Sequence, residues 1–333
     1  MDRRKEPGMP DAPPDQMASP DKSLAPAPIA VFVHVHYEDV WVGLADIISE
    51  TLRHPFHLIL TTPHAGAMPK IPDSPFLLSH RTLVYPNRGR DILPFLMALG
   101  LPIDFSVGLK LHTKRSDHRL EGAHWGQALV RALLPDPTAV ACVIAAITAD
   151  RRLKIVAPRG MLVSLDRWMG RNLRPMRQVA ERLRLDLPAA RQRTPVFCAG
   201  SMFWFRRDAL NRFADANLSD LFAAEAGQTD GTAAHACERL FALIAEAEDG
   251  VVLTMDDVGM LDSAQPLQAL RARARMRADE PTPFLRRPPL LARWALALPG
   301  LRRLYQACPA GLRRAIRRSA GGNGNSVLRP PHL

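Results

Sequence analysis

Between residues 29 and 111 the chain alternates short apolar runs with segments of helical spacing, and that alternation limits its fold more than any other feature. "IAVFVHVHY" (29–37), rich in β-branched and aromatic residues, predicts a strand. "WVGLADIISETL" (41–52) sets Trp41, Leu44, Ile47 and Ile48 along one helical face. "FHLILTT" (56–62) and "RTLVYPN" (81–87) predict a second and a third strand. In "GRDILPFLMALG" Asp91 is a plausible helix N-cap and Pro94 is tolerable in the first turn; the strand within "SVGLKLHTKRSD" (106–117) is the fourth. Strands separated by helices call for parallel crossovers. The pattern therefore predicts an α/β fold, a mostly parallel sheet flanked by helices.

Beyond this half the reading is coarser. It predicts a helix at 139–150, a strand at 153–160 and a long Arg- and Leu-rich helical or lid-like segment at 161–193. "VFCAGSMFWFRRDAL" (196–210) reads as strand, small-residue turn, strand and helix start; 227–248 is a turn leading into an amphipathic helix. "GVVLT" (250–254) is expected to close the compact domain. The expected organisation is a disordered lead-in at 1–27, an α/β domain at 28–262 and a basic, amphipathic helical tail at 263–333.

Charge is distributed unevenly. Residues 271–333 hold 14 arginines against Asp279 and Glu280, a net of +12, so the 270 residues before them carry −1 of the overall +11. The basicity belongs to the tail, and a nucleic-acid-binding reading is correspondingly weak: no aromatic pattern interleaves the arginines beyond Trp294 and Tyr305. Cys142, Cys198, Cys237 and Cys308 match no metal or disulfide spacing and fit a reducing compartment. No apolar run approaches the roughly 20 residues that span a bilayer, so the expected location is cytoplasmic.

Chemistry-bearing residues gather just after strand ends, where open parallel sheets take their ligands. "YPNRGRD" supplies Arg88, Gly89 and Arg90; "LKLHTKRS" supplies Lys110, His112, Lys114 and Arg115, with no acid among them. Arginine forks, an ammonium and nearby helix-end N–H groups suit a phosphate or diphosphate, and Gly89 lets the backbone approach it. The plainer alternative is a solvated loop rim. In "FCAGSMFWFRR", Gly200 and Ser201 are candidates for close approach of a ligand, and Trp204 for stacking on a sugar ring, with Phe203 and Phe205 as core. In "GQTDGTAAHACERLF", Asp230 or Thr229 is either a helix N-cap or, for Asp230, a general base for an attacking hydroxyl; His235 and Glu238 share the following helix face.

Taken in order, "VFVHVHYEDVW", "YPNRGRDILPFL", "LKLHTKRS", "FCAGSMFWFRRDAL" and "GQTDGTAAHACERLF" resemble the rhamnan synthesis protein F family, over about residues 30 to 245. The resemblance implies a glycosyltransferase of cell-surface polysaccharide synthesis with a GT-A-like fold, drawing on a nucleotide-diphosphate sugar. Ordinary GT-A enzymes end a strand in Asp-x-Asp to hold a metal; here the matching strand ends in Lys110, His112 and Lys114. The comparison implies that Arg88, Gly89, Arg90, Asp91, Lys110, His112 and Lys114 hold the donor diphosphate without a metal. Gly200, Ser201, Trp204, His235 and Glu238 would contact sugar or acceptor, and Asp230 would be the base. The expected reaction is inverting transfer of a deoxyhexose, rhamnose, to a lipid-linked glycan. No cofactor is expected, and the tail is expected on the anionic inner face of the plasma membrane. The competing reading is a non-catalytic glycan-binding or scaffold partner.

Overall fold

In a computed structural model the described residues are 27–66, 68–113, 122–228 and 230–280. The expected alternation is present: β1 (Ile29–His34), α1 (Glu38–Thr51), β2 (Phe56–Thr62), β3 (Leu77–Val84), α2 (Ile92–Leu99) and β4 (Val107–His112). There follow α3 (Gly122–Leu133), α4 (Pro137–Ala149), β5 (Leu153–Ala157), β6 (Leu162–Ser164), α5 (Leu173–Arg182) and α6 (Leu187–Arg193). The chain then forms β7 (Val196–Cys198), β8 (Phe203–Arg206), α7 (Asn211–Asp215), α8 (Ala233–Ala247), β9 (Val251–Thr254) and α9 (Leu267–Asp279). The long segment expected as helical or lid-like, 161–193, holds a short strand and two helices, and the strand expected over 153–160 stops at Ala157.

Seven strands form one sheet in the order β3-β2-β1-β4-β8-β5-β9; β6 and β7 pair separately. β8 runs antiparallel to β4 and β5, while the other pairings in the large sheet are parallel. This is the mostly parallel α/β sheet flanked by helices that the sequence predicts. Burial explains its composition: every residue of β1, β4, β5 and β9 is buried, as in strands covered on both faces. Gly108 lies opposite Phe205 in the β4–β8 register, and a side chain there would meet the Phe205 ring. The ring fills that space and packs edge-on against Phe95 and Phe105, with centroids 5.8 and 6.1 Å away.

The packed body continues past the boundary expected at 262. On α9, Leu270 and Ala274 are buried, Arg277 lies 3.0 Å from the fully buried Asp257, and Arg271 bonds the carbonyls of Glu246 and Gly250. The first arginines of the basic stretch thus satisfy buried acceptors of the domain. The rest of the expected tail, 281–333, lies outside the described residues, as does the expected lead-in to residue 26. Among the described residues no single helix is long and apolar enough to cross a membrane.

Candidate functional site

β1, β2, β3 and β4 all end at one edge of the sheet, and β8, being antiparallel, begins there. The strand order reverses between β1 and β4, because β2 and β3 lie on one side of β1 and the chain then crosses to the other. Such a reversal opens a crevice beyond the strand ends. His34 of β1 and His112 of β4 are register partners at that point.

A buried ion pair holds the edge together. The Lys110 side chain is 1% exposed, and its Nζ lies 2.6 Å from Asp91 Oδ2. The same ammonium donates to Ser201 O at 2.7 Å and Ser201 Oγ at 2.9 Å, and lies 5.1 Å from the centroid of the Phe95 ring. Three protons meet three acceptors, so the lysine expected to bind diphosphate has no donor left for it. Asp91 likewise is not the side-chain cap expected: its backbone is helical and its carboxylate makes no capping bond, being drawn to Lys110 and to His112 Nδ1 at 3.3 Å.

Two left-handed turns flank this pair. Gly89 and Arg90 have φ of +70° and +56°; Gly200 and Ser201 have +91° and +55°. The Gly200 N–H donates to Glu238 Oε1 at 2.7 Å, so α8 fixes the turn that holds Lys110. Gly200 and Ser201 are buried, and Ser201 acts as an acceptor for the lysine. Gly89 makes a close approach, but to Phe222 and Leu93: a Cβ there would lie 2.5 Å from the Phe222 ring.

The expected cationic residues divide. Arg88 donates from Nε to Phe222 O at 2.5 Å and from Nη2 to Ser219 O at 2.7 Å, which commits it to the 219–222 segment. Arg90 reaches Glu225 Oε2 at 3.3 Å and the Gln228 carbonyl, yet its side chain remains 38% exposed at the rim. His112 stands at the strand end beside Asp91. Lys114 and Arg115 lie outside the described residues.

Sequence reasoning missed a histidine group. His34 Nδ1 lies 3.0 Å from Thr61 Oγ1; the His34 and His36 rings are stacked 6.4 Å apart, and His36 and His64 are 5.7 Å apart. Burial is the main reason His34 titrates low, at about 4, and burial and then His64 lower His36. The i, i+2 spacing in "VHVHY" places both histidines on one side of a strand end, a signal present in the sequence. Thr113 Oγ1 accepts from the backbone N–H groups of His36 and Tyr37 at 2.8 and 2.9 Å, fixing the loop after β1 to the end of β4.

At the start of α8 the N-cap position is Thr232, whose Oγ1 lies 2.8 Å from His235 Nδ1. Asp230 is not the cap; Thr229, the other candidate, lies outside the described residues. Asp230 Oδ2 accepts from Arg171 N at 2.9 Å and Oδ1 from the Asn172 amide, whose Oδ1 accepts from Gly231 N at 3.0 Å. The carboxylate thus clamps the 170–172 turn onto the approach to α8. Burial works to raise its pKa, but the Arg171 N–H, the Asn172 amide and the Arg239 charge prevail and hold it below the usual value. His235 is the reverse: burial first, then Arg90, keeps its pKa below 6.5. Trp204, expected to stack on a sugar, is fully buried and donates its Nε1–H to Leu133 O at 3.0 Å, so it has no face to offer. Among the described residues no three His, Cys, Asp or Glu side chains cluster to hold a metal ion.

The fold and the site define an α/β domain with a polar crevice at the carboxyl edge of its sheet. The chain matches the family model "Rhamnan synthesis protein F" over residues 9–249, and it belongs to that family. It is 33% identical over 252 residues to the uncharacterized protein WxcX of Xanthomonas campestris pv. campestris, in strains B100 and ATCC 33913. That alignment takes in 72% of this chain and 35% of WxcX, so the chain spans about a third of the length of the curated relatives it matches. Among solved structures it is similar to the mannosyltransferase PcManGT from Pyrobaculum calidifontis in complex with GDP-Man and Mn2+. There the identity is 15% and the TM-score 0.38, over 88% of this chain and 79% of that one.

Proposed function

We propose that this chain is a glycosyltransferase of polysaccharide synthesis. It takes a deoxyhexose, rhamnose, from a nucleotide-diphosphate sugar and transfers it with inversion to a lipid-linked glycan. The observation that carries the reading is the Asp91–Lys110 pair, set between two left-handed turns at the strand-order reversal. A buried ion pair and two non-glycine residues at positive φ are costly, and such features concentrate where a ligand must be met by fixed groups. Membership of a family described by rhamnan synthesis supports the sugar.

Lys110 neutralises Asp91 from within, so among the described residues the exposed side of Arg90 gives the crevice its positive charge, and Lys114 and Arg115 follow β4 in sequence. These cations take the charge of the leaving diphosphate, the part a metal plays elsewhere. The base assignment moves from Asp230 to His235. Both Asp230 oxygens are engaged by the 170–172 turn, whereas His235, its pKa also lowered by burial, is held as a neutral imidazole that can accept a proton. The acceptor hydroxyl gives its proton to His235 as its oxygen bonds to C1, and the C1–O bond to the diphosphate breaks with its electron pair on the nucleotide. The arginine-rich segment 281–333 lies against the anionic inner leaflet, at the acceptor.

The test is a thermal-shift screen of nucleotide sugars, followed by a release assay for nucleoside diphosphate with the sugar that stabilises most. Release that persists in EDTA and falls on the order of 10²-fold in His235→Gln is the expected result. Activity abolished by EDTA and restored by manganese overturns the metal-free reading. No stabilisation and no release by any nucleotide sugar favours the scaffold role instead.

A further inference from the structure

The segment 161–193 carries eight arginines against three acids and no lysine. Its acids are Asp166, whose carboxylate meets Arg191 at 2.7 Å, Asp186, which caps α6 by accepting from Ala189 N, and Glu181. Arg182 pairs with Asp220 at 2.7 Å. Arg167, Arg171, Arg174 and Arg177 are exposed, and none is in an ion pair within 4.0 Å among the described residues. α5 buries Met176, Val179 and Ala180 and turns Arg174 and Arg177 outward, with Gln178 and Glu181 beside them. Arg167 and Arg171 bracket the partly exposed Trp168 and Met169 in the turn just before that helix.

The fold itself disfavours this charge. Arg174 sits in the first turn of α5, where the helix dipole repels a cation and the turn itself carries no acid. Arg174 and Arg177 are three apart on one face, a like-charge spacing that weakens a helix. Four exposed arginines outside any ion pair, beside Trp168 and Met169 that pack partly on the core, leave a positive surface open to an anionic partner. The Asp230 clamp ties the same turn, through Arg171 N and Asn172, to the approach to α8 at the candidate site.

We propose that the face formed by Arg167, Trp168, Arg171, Arg174 and Arg177 docks on an anionic lipid bilayer, independently of the segment 281–333. The arginines meet headgroup phosphates and Trp168 sits at headgroup level. Choosing a bilayer over other polyanions rests on the lipid-linked acceptor proposed above; the test does not depend on transfer.

The test is co-sedimentation of the full chain with phosphatidylcholine vesicles, with and without phosphatidylglycerol, across a salt series. The parent should bind only the anionic vesicles. Arg174→Glu with Arg177→Glu should lower the partition coefficient by roughly tenfold or more, and Arg167→Gln with Arg171→Gln by a smaller factor. A control with the same charge change on other exposed faces, Arg81→Glu with Arg151→Glu, should bind as the parent does. Because an acid in the first turn of α5 suits the dipole, Arg174→Glu should keep or raise the melting temperature, which separates lost binding from misfolding. Parent-like binding by the α5 variant, or an equal loss in the control, overturns the proposal. So does α5-dependent binding of single-stranded RNA without vesicle binding.

Discussion

Lys110 Nζ lies 2.6 Å from Asp91 Oδ2, and with Ser201 as the third partner it joins β4, the start of α2 and the turn before β8 at a single point. The ammonium is taken wholly out of water, so its stability depends on keeping all three acceptors. Asp91→Asn should therefore destabilise the fold by about 3–5 kcal/mol in denaturant titrations, because it strands a buried cation. Adding Lys110→Met should recover a large part of that loss, since two apolar or neutral groups of similar size replace the pair. An Asp91→Asn protein within 1 kcal/mol of the parent, on the order of an ordinary surface change, would show that the pair is not structural.

Gly89 offers a comparison of two effects of adding a methyl group. At φ +70°, an alanine is strained by its backbone and also collides with Phe222 and Leu93. Gly227 has φ +74° with nothing within 4 Å of a built Cβ. Gly227→Ala should cost about 1 kcal/mol, the backbone effect alone, and Gly89→Ala about 2–4 kcal/mol. Equal losses in thermal or chemical unfolding would mean that Phe222 and Leu93 yield freely.

His34 makes the fold pH-dependent in a definite window. Its pKa falls from 6.5 to about 4 on folding, so between these values the unfolded chain binds the extra proton. Its contribution is thus fully present above pH 6.5 and is lost as pH falls toward 4. The size is on the order of 3 kcal/mol. His36 and His235 shift in the same direction, so the informative quantity is the difference between the parent and His34→Asn, which retains a partner for Thr61. The variant should lose less stability than the parent from pH 7 to pH 5; identical slopes would remove His34 from the account.

Asp230 works in the opposite sense, at lower pH. Its folded pKa lies below 3.8, so its contribution is present above that value and disappears as pH falls through the folded pKa. Asp230→Asn turns one amide hydrogen pair toward a donor and should cost about 1–2 kcal/mol at pH 7, the lower end for charged hydrogen bonds because the site is partly solvated. The 170–172 turn should also lose amide-exchange protection. A variant as stable and as protected as the parent at pH 7 would contradict the clamp.

Much of this protein is legible in its sequence because the information is local. The alternation of strand and helix, both ends of β2 and the turn before α8 follow from side-chain periodicity and turn residues within a few positions of one another. So does the gathering of charge at strand ends, since parallel topology puts those ends at one edge. By contrast, β1 stops at His34, short of the expected 37, and β3 lies at Leu77–Val84, earlier than expected. The helix α9 reads as part of the tail because nothing near Arg271 or Arg277 in sequence announces Glu246 or Asp257 as partners.

What each charged residue does was decided only by the tertiary structure. Lys110, Arg88 and Arg90 look alike as cations in the sequence, but partners as far as 91, 134 and 138 positions away divide them into a buried strut, a loop anchor and a rim charge. Asp230 reads as a cap or a base until the turn at 170–172, 58 or 59 residues earlier, supplies two donors and makes it a clamp. Trp204 reads as a stacking face until the carbonyl of Leu133 takes its N–H within the core. The physical reason is common to all five: a polar group drawn out of water must find a partner, and folding chooses that partner by proximity in space, which periodicity along the chain does not encode.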